Sequence, residues 1–496
     1  MKRNHLILFI IFLLTLSLRL YFSFQSPYFS IEGYETIRQV QHIRENGLPL
    51  FKDELSYGGR ALFFPPLYYY ILAFFNLFLP GWLVFKLIPN IFISSLVFII
   101  YLISGHITKN KKIALFTAFL SGFIPVFYYK TINDISAYTL VIPLTALLIF
   151  YFMRTEENRK YVFYFIFLIF ILRLIHPSVL LLSAALLLFL LFIKLMGLKQ
   201  SKIELELILF STFLILWSLF VTFKKAFLVH GYNMIWQNIP VDMLSQFFTN
   251  ITILEAIYKI GIIPFLFGLY VIYKYILSEK SREIYLLISF AFVVAILLLL
   301  RLIRLNTGLM FLSVIFVLLF SQALKVILAH LEKTHFHRLK YFLVALISLI
   351  FLLTSIVPSI TYASQSLGET VNSEEAIALE WLRSNTNKAD TVLSTLQEGV
   401  LITSLANRKN VADYNFLLIE DANTRLKDIR TIYTALFQTE AVRLLNKYNV
   451  KYIYFSERAR NEFNIQELAF IDDKCFELVY DGNVKIYRSL CMLQEG

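Results

Sequence analysis

The stretch SPYFSIEGYETIRQVQHIRENGLPLFKDELSYGGRALFFPPLYYYILAFF, residues 26–75, decides how the chain is threaded. It follows a first apolar run at 6–24. It carries the acids Glu32, Glu35, Glu45, Asp53 and Glu54 and a Gly-Gly-Arg ending at Arg60, then Pro65-Pro66 and a return to apolar residues. Whether 64–80 crosses a membrane sets the side of every later loop.

The surroundings make that question meaningful. The chain has 496 residues, 58% of them apolar and 16% charged, with a mean hydropathy of +0.67. A soluble domain carries about 25% charge. Apolar runs of roughly 18 residues recur through the first 360 positions and read as membrane spans. The basic start MKRNH leads into a run too long for a cleaved signal peptide, so the first span is expected to be retained. The net charge of +12 collects in short loops between spans, the signature of cytoplasmic turns, and no nucleic-acid partner is expected. Two cysteines, Cys475 and Cys491, show no metal-ligand spacing and read as free thiols, with a disulfide between them as the alternative.

If 64–80 does not cross, the basic turns fall on one side with Lys2 and Arg3. They are Lys109, Lys111 and Lys112; Arg154, Arg159 and Lys160; Lys194, Lys199 and Lys202; Lys274, Lys280 and Arg282; and Lys325, Lys333, Arg338 and Lys340. That bias marks the cytoplasm. The segment 64–80, opened by Pro65-Pro66, then dips into the membrane or lies against it. The expectation is a polytopic α-helical membrane protein of about eleven spans. Its N-terminus is cytoplasmic. Residues 1–362 form the transmembrane domain, with an outer loop and amphipathic helix in 25–82. Residues 363–496 form an extracytoplasmic α/β domain.

The outer side then gathers the unusual residues. SIEGYETIRQVQHIRENG predicts a helix capped by Gly47. Glu32 and Glu35 sit near its first turn, where the helix dipole favours carboxylates. Ile37, Val40 and Ile43 form an apolar stripe, so the helix is expected to rest on the membrane surface. Asn133-Asp134 follows the third span, and Asp134 is a helix cap or a second carboxylate. Glu32 and Asp134, as hard oxygen ligands, suit Mg²⁺ or Mn²⁺ with phosphate and water completing the shell. Arg301 and Arg304, at i and i+3, are expected on one helical face at the outer end of a span, where they suit a lipid-linked phosphate. His176, before Pro177, is a weaker phosphate candidate. In the tail, Ser373 is expected to cap a helix, strands fall in DTVLST, KNVAD and VKYIYFS, and Asp481-Gly482 turns a hairpin.

Taken together, these residues resemble the GT-C superfamily of membrane glycosyltransferases, in particular archaeal members related to the catalytic subunit of oligosaccharyltransferases. IEGYETIRQVQHIRENGLPLFKDELSYGGRALFFPPLYYY is similar to the family's first outer loop, RLIRLNTGLMFL to its late arginine segment, and ALEWLRSNTNKADTVLSTLQEGVLITSLANRKNVADY to the start of its outer domain. The resemblance implies sugar transfer from a polyprenyl- or dolichyl-phosphate donor, with membrane lipids and an acceptor protein, lipid or glycan as partners. It implies Glu32 as the first-loop acid, where the family commonly has Asp. It places Asp134 at the second acidic motif, Arg301 or Arg304 on the lipid phosphate, and Glu35, Arg38 and Arg60 in support of the acceptor loop. The Trp-Trp-Asp-Tyr-Gly acceptor motif of oligosaccharyltransferases is replaced by Thr395-Leu396-Gln397-Glu398-Gly399, which keeps only the glycine. A lipid-linked glycan flippase and a non-catalytic accessory protein are the competing readings. Flippases show internal repeats and mid-membrane charges, whereas no repeat is visible here and the charges gather at span ends.

Overall fold

A computed structural model describes residues 2–248, 251–333 and 339–491; Arg338, of the last basic turn, lies outside them. In chain order the first helices are α1 (Lys2–Ser23), α2 (Ile31–Asn46), α3 (Leu67–Phe75), α4 (Gly81–Ser94), α5 (Leu96–Thr108), α6 (Lys111–Ser121) and α7 (Pro125–Lys130). Next come α8 (Tyr138–Met153), α9 (Arg159–Ile175), α10 (Val179–Leu195), α11 (Lys202–His230), α12 (Leu244–Phe247), α13 (Ile253–Ile260), α14 (Ile262–Leu277), α15 (Arg282–Leu299) and α16 (Leu305–Glu332). The last are α17 (Leu339–Phe351), α18 (Val357–Gly368), α19 (Ser373–Asn385), α20 (Leu396–Ser404), α21 (Ala422–Thr434), α22 (Gln438–Lys447) and α23 (Glu457–Phe463).

The chain divides into two compact units. One comprises Met1–Pro27, Pro65–Thr222 and Ser245–Leu367; the other comprises Tyr28–Phe64, Phe223–Leu244 and Gly368–Gly496.

The first unit is helical. The eleven apolar runs read as spans, 6–24, 83–104, 113–129, 135–153, 161–175, 178–196, 206–223, 256–277, 284–300, 305–328 and 341–360, fall largely on helices. Among the described residues, seven helical stretches are long and apolar enough to cross a membrane, and the α13–α14 pair, bent by 98° at Gly261, makes an eighth if counted as one. Helices α8, α9 and α10 have 16, 17 and 17 residues, near the lower limit for a span. Helix α3 has 9 residues. At 1.5 Å per residue it covers about 14 Å of a core about 30 Å thick, so 64–80 does not cross as helix.

The second unit is α/β. Its five-stranded sheet has the order β4-β3-β5-β7-β6, with β3 (Thr391–Leu393), β4 (Lys409–Asn410), β5 (Val450–Phe455), β6 (Phe476–Tyr480) and β7 (Lys485–Ser489). Strands β3, β4 and β5 run parallel, and the β6–β7 hairpin is antiparallel to β5. The opening loop joins this unit through α2 and a two-stranded ribbon, β1 (Lys52–Asp53) and β2 (Arg60–Ala61).

Three expectations change here. The cap of α19 is Asn372, whose side chain accepts from Glu375 N while Glu375 reaches back in a capping box; Ser373 is already helical. The apolar stripe of α2 does not rest on a membrane surface. Val40 and Ile43 are buried and α2 packs on α20, because periodicity marks an apolar face without saying what covers it. Cys475 and Cys491 are bonded to each other rather than free. They flank the hairpin whose first pair is Phe476 opposite Ser489, so strand pairing brings residues 16 apart in sequence to a Cα separation of 4.9 Å, within disulfide range.

Candidate functional site

In the α/β unit, α2 presents the acids. Ser30 caps it, accepting from Gly33 N at 3.1 Å. Glu32 lies in the first turn and is exposed. Gly47, at φ 75°, closes the helix with its N–H on Ile43 O. Glu35, one turn beyond Glu32, is half-buried. It accepts from Tyr414 Oη and Asn415 Nδ2, both at 3.3 Å. Burial, then the Asp413 charge, push the Glu35 carboxyl above the usual range.

Below Glu35 lies a polar joint. Arg38 donates to both oxygens of Asp53, at 2.6 and 2.7 Å. Burial pushes the Asp53 carboxyl up, but the hydrogen bonds and charge of Arg38 outweigh it and leave it below the usual value. Arg60 donates to Asn415 O and pairs with Asp413 at 3.2 Å. Asp413 also accepts from Ser56 Oγ at 2.6 Å and Asn415 N at 3.0 Å. Tyr57, at φ 56°, donates through its N–H to Asn410 Oδ1 at 2.8 Å. Glu35, Arg38, Asp53, Arg60 and Asp413 line one narrow cleft. Arg38 and Arg60 therefore direct their hydrogen bonds to groups within the unit, and the buried Arg60 Nε is left without a partner.

The Thr395–Gly399 stretch is committed to folding. Thr395 and Glu398 form a capping box on α20, and Glu398 is fully buried. A Cβ on Gly399 would come within 2.0 Å of Ala412 O. The glycine is thus required by close backbone packing.

In the helical unit, Asp134 is half-buried between α7 and α8. The next residue, Ile135, has φ 47°, an outlier for a β-branched side chain. His176 ends α9. Its Nδ1 accepts from Ser178 N at 3.1 Å, so the proton sits on Nε2, and its ring lies 4.6 Å from that of Tyr138. Arg301 and Arg304 do not share a helical face. They lie in the turn between α15 and α16, Arg301 at φ 54° and Arg304 at the cap of α16. A left-handed residue ends α15 there, so the i, i+3 rule does not apply. Both side chains are exposed, and Arg304 lies 5.5 Å from the Phe247 ring centre. Glu32 belongs to one unit and Asp134, His176, Arg301 and Arg304 to the other.

Sequence reading passed over three cations of the helical unit. Arg19 and Lys86 are buried inside apolar helices. A charge inside a span is itself a functional signal, and it was present in the sequence. Lys259 is also buried; it pairs with the half-buried Glu255 at 2.9 Å and lies 4.7 Å from the Tyr129 ring centre. Among the described residues no three His, Cys, Asp or Glu side chains gather to hold a metal ion.

No family model matches the sequence. The chain is 32% identical over 141 residues to dolichyl-phosphooligosaccharide-protein glycotransferase 2 of Archaeoglobus fulgidus. That stretch is 26% of this chain and 24% of the relative, so the match spans about a quarter of the relative's length. The fold is similar to that of an Archaeoglobus fulgidus oligosaccharyltransferase in the apo form, with a TM-score of 0.70 and 16% identity over 95% of this chain and 72% of that one. It is similar to the same organism's AglB in complex with an inhibitory peptide and a dolichol-phosphate, with a TM-score of 0.71 and 16% identity over 91% and 69% of the two chains. ArnT from Cupriavidus metallidurans bound to undecaprenyl phosphate matches 99% of this chain and 98% of its own length, with a TM-score of 0.53 and 10% identity. The chain is therefore a multi-pass α-helical membrane protein with a C-terminal α/β domain, and its fold is the one these oligosaccharyltransferase and ArnT structures share.

Proposed function

We propose that this protein is a membrane glycosyltransferase that moves a sugar from a polyprenyl- or dolichyl-phosphate-linked donor to an acceptor at the outer face, with inversion. The observation that carries the reading is the GT-C-like fold, matched over 95% of the chain. Neighbours of that fold bind dolichol-phosphate and undecaprenyl phosphate, which supports a lipid-phosphate donor. The basic turns support a cytoplasmic N-terminus. The Cys475–Cys491 bond supports an oxidising, extracytoplasmic side for the α/β unit.

The chemistry follows from the side chains. Glu32, exposed in the first turn of α2, takes the proton of the acceptor hydroxyl as the acceptor oxygen attacks the anomeric carbon. The bond from that carbon to the phosphate oxygen breaks, and its electron pair stays on the phosphate. Because phosphate leaves readily, no protonating acid is required, unlike in glycoside hydrolysis. Arg301 and Arg304 are exposed and suited to stabilise the charge that grows there. His176, with its proton on Nε2, supplies a neutral donor for a phosphate oxygen. Glu35 ties α2 to the 413–415 loop, Arg38 ties α2 to Asp53 of the ribbon, and Arg60 ties the ribbon to the same loop, and so they steady the backbone that carries Glu32.

Asp134 is the candidate metal ligand of the helical unit, and its carboxylate suits Mg²⁺ or Mn²⁺. A neighbouring oligosaccharyltransferase is known in complex with Zn and sulfate. Bound metal would neutralise phosphate charge. Since the described residues gather no three-ligand group, no step is routed through it.

The relative that matches by sequence is a protein glycotransferase, which favours a protein acceptor as the second reading. The commitment of Thr395–Gly399 to a capping box and close packing argues that this stretch does not read the acceptor. The test is incubation of purified full-length protein with a tritiated dolichyl-phosphate hexose and a membrane extract of acceptors. Donor-dependent labelling with the opposite anomeric configuration is expected. A product of retained configuration would overturn the mechanism, and no labelling would overturn the reading.

A further inference from the structure

The turn that carries Asp134 is held by an unusual device. Three consecutive residues before the acid are each pinned by a side chain from an apolar helix. Thr131 Oγ1 accepts from Arg19 Nη2 of α1 at 2.6 Å. Ile132 O accepts from Asn90 Nδ2 of α4 at 3.2 Å. Asn133 Oδ1 accepts from Lys86 Nζ of α4 and from Ser23 Oγ of α1, both at 2.9 Å. The donors are themselves tied together: Arg19 Nε donates to Asn90 Oδ1 at 2.9 Å, and Lys86 Nζ also donates to Ser23 O and Ser26 O at 2.7 Å. Arg19 stacks 5.1 Å from the centre of the Tyr128 ring.

Two further observations bear on the same turn. Ile135, on the far side of Asp134, keeps a left-handed backbone, which persists only where the surroundings enforce it. The Asn133 amide must aim its oxygen at Lys86 and Ser23, since both are donors, and its buried Nδ2 is left without a partner. Burying an orphan donor and a strained residue beside one acid is costly for a segment with no role beyond packing. Buried cations in an apolar unit carry the same implication.

We propose that Lys86, with Arg19 and Asn90, is a positioning residue for Asp134, fixing the 131–135 backbone so that the carboxylate, the candidate metal ligand proposed above, is held in one direction. The role rests on the transferase reading. It does not require any of the three to touch substrate.

The test pairs hydrogen–deuterium exchange over residues 128–137 of the full-length protein in lipid nanodiscs with sugar-transfer kinetics. Lys86→Met is expected to raise amide exchange in 131–135 about tenfold, the scale of one lost hydrogen bond to a charged donor. The same variant should lower kcat about 100-fold, as misplacement by about 1 Å does, with KM for the donor changed by less than about twofold. Lys86→Arg should restore most of both. Ser23→Ala, which removes a single bond, should move both the same way by less, and it serves if Lys86→Met does not fold. Unchanged exchange in Lys86→Met, or in Ser23→Ala where that variant stands in, overturns the network. Raised exchange with unchanged kcat overturns the positioning of Asp134. If the wild-type protein transfers no sugar, the functional reading fails, and exchange alone decides whether the network fixes the turn.

Discussion

Arg19 and Arg173 of the helical unit are held differently from Arg38, Arg60 and Arg458 of the α/β unit, although neither unit uses one kind alone: buried Arg408 of the α/β unit donates to oxygens of Thr386, Arg383, Ala406 and Asn407, and Arg282 of the helical unit pairs with buried Glu204. In the helical unit, Arg19 rests on an amide and a hydroxyl oxygen, Asn90 Oδ1 and Thr131 Oγ1. Arg173 likewise donates to Ser218 Oγ, Ser218 O and Thr222 Oγ1, at 2.7, 2.9 and 2.7 Å. In the α/β unit, Arg38, Arg60 and Arg458 each meet a buried carboxylate, of Asp53, Asp413 and Glu375. The contrast separates two uses of a buried charge. An ion pair that joins loop to domain is a two-sided lock, and removing one side strands the other. A cation spread over neutral oxygens has no single partner to strand, and it leaves its positive potential available to whatever approaches the turn it holds.

The comparison is open to breakage from the α/β side first. Asp413→Ala leaves Arg60 buried without its carboxylate and should cost about 3–5 kcal/mol of that unit's stability, read as a fall in melting temperature. Asp413→Leu combined with Arg60→Met should cost less than Asp413→Ala alone. Equal losses would mean that the pair is not a lock.

A smaller effect is expected from Glu398. Burial pushes its carboxyl up to about 7, against the hydrogen bonds from Ser456 and Thr395, with the Glu375 charge adding to the rise. The folded state therefore holds a proton that the unfolded chain releases from about pH 4.5. Stability from this group is present at pH 4.5 and below and is lost as pH rises through about 7, a total of about 3 kcal/mol. Melting temperatures between pH 4.5 and 8 should fall for the wild type and flatten in Glu398→Gln; a wild type that gains stability over that window contradicts the assignment.

The smallest effect belongs to the helical unit. Arg19→Met removes the donor to Asn90 and Thr131 and should cost about 1–3 kcal/mol, less than Asp413→Ala. A larger loss than that of Asp413→Ala would invert the comparison.

How much of this was legible depends on the range of the interaction. Apolar run length is a local property, so all eleven helical segments and the shortness of α3 could be read directly. Asp481-Gly482 announced the β6–β7 hairpin by turn chemistry. What failed needed a partner distant in sequence. The stripe of Val40 and Ile43 is covered by α20, more than 350 residues on. Cys475 and Cys491 looked free because the strand pairing that joins them was not applied to their spacing. Arg301 and Arg304 were placed on a helix by their interval, while the left-handed residue that ends the helix has no composition signal when it is not glycine. Of the candidate site, Glu32 and Asp134 stood out as acids beside spans. Arg19 and Lys86 carried an equally plain signal inside spans, but their link to Asp134 runs across 47 to 112 residues of chain.

The central claim is that α2 exposes a base for glycosyl transfer, and its most direct test is the turnover of Glu32→Gln. With a labelled dolichyl-phosphate sugar and the full-length protein, kcat/KM should fall about 10²–10⁴-fold while the melting temperature stays at the wild-type value, because Glu32 is exposed. Wild-type turnover in Glu32→Gln would contradict the account.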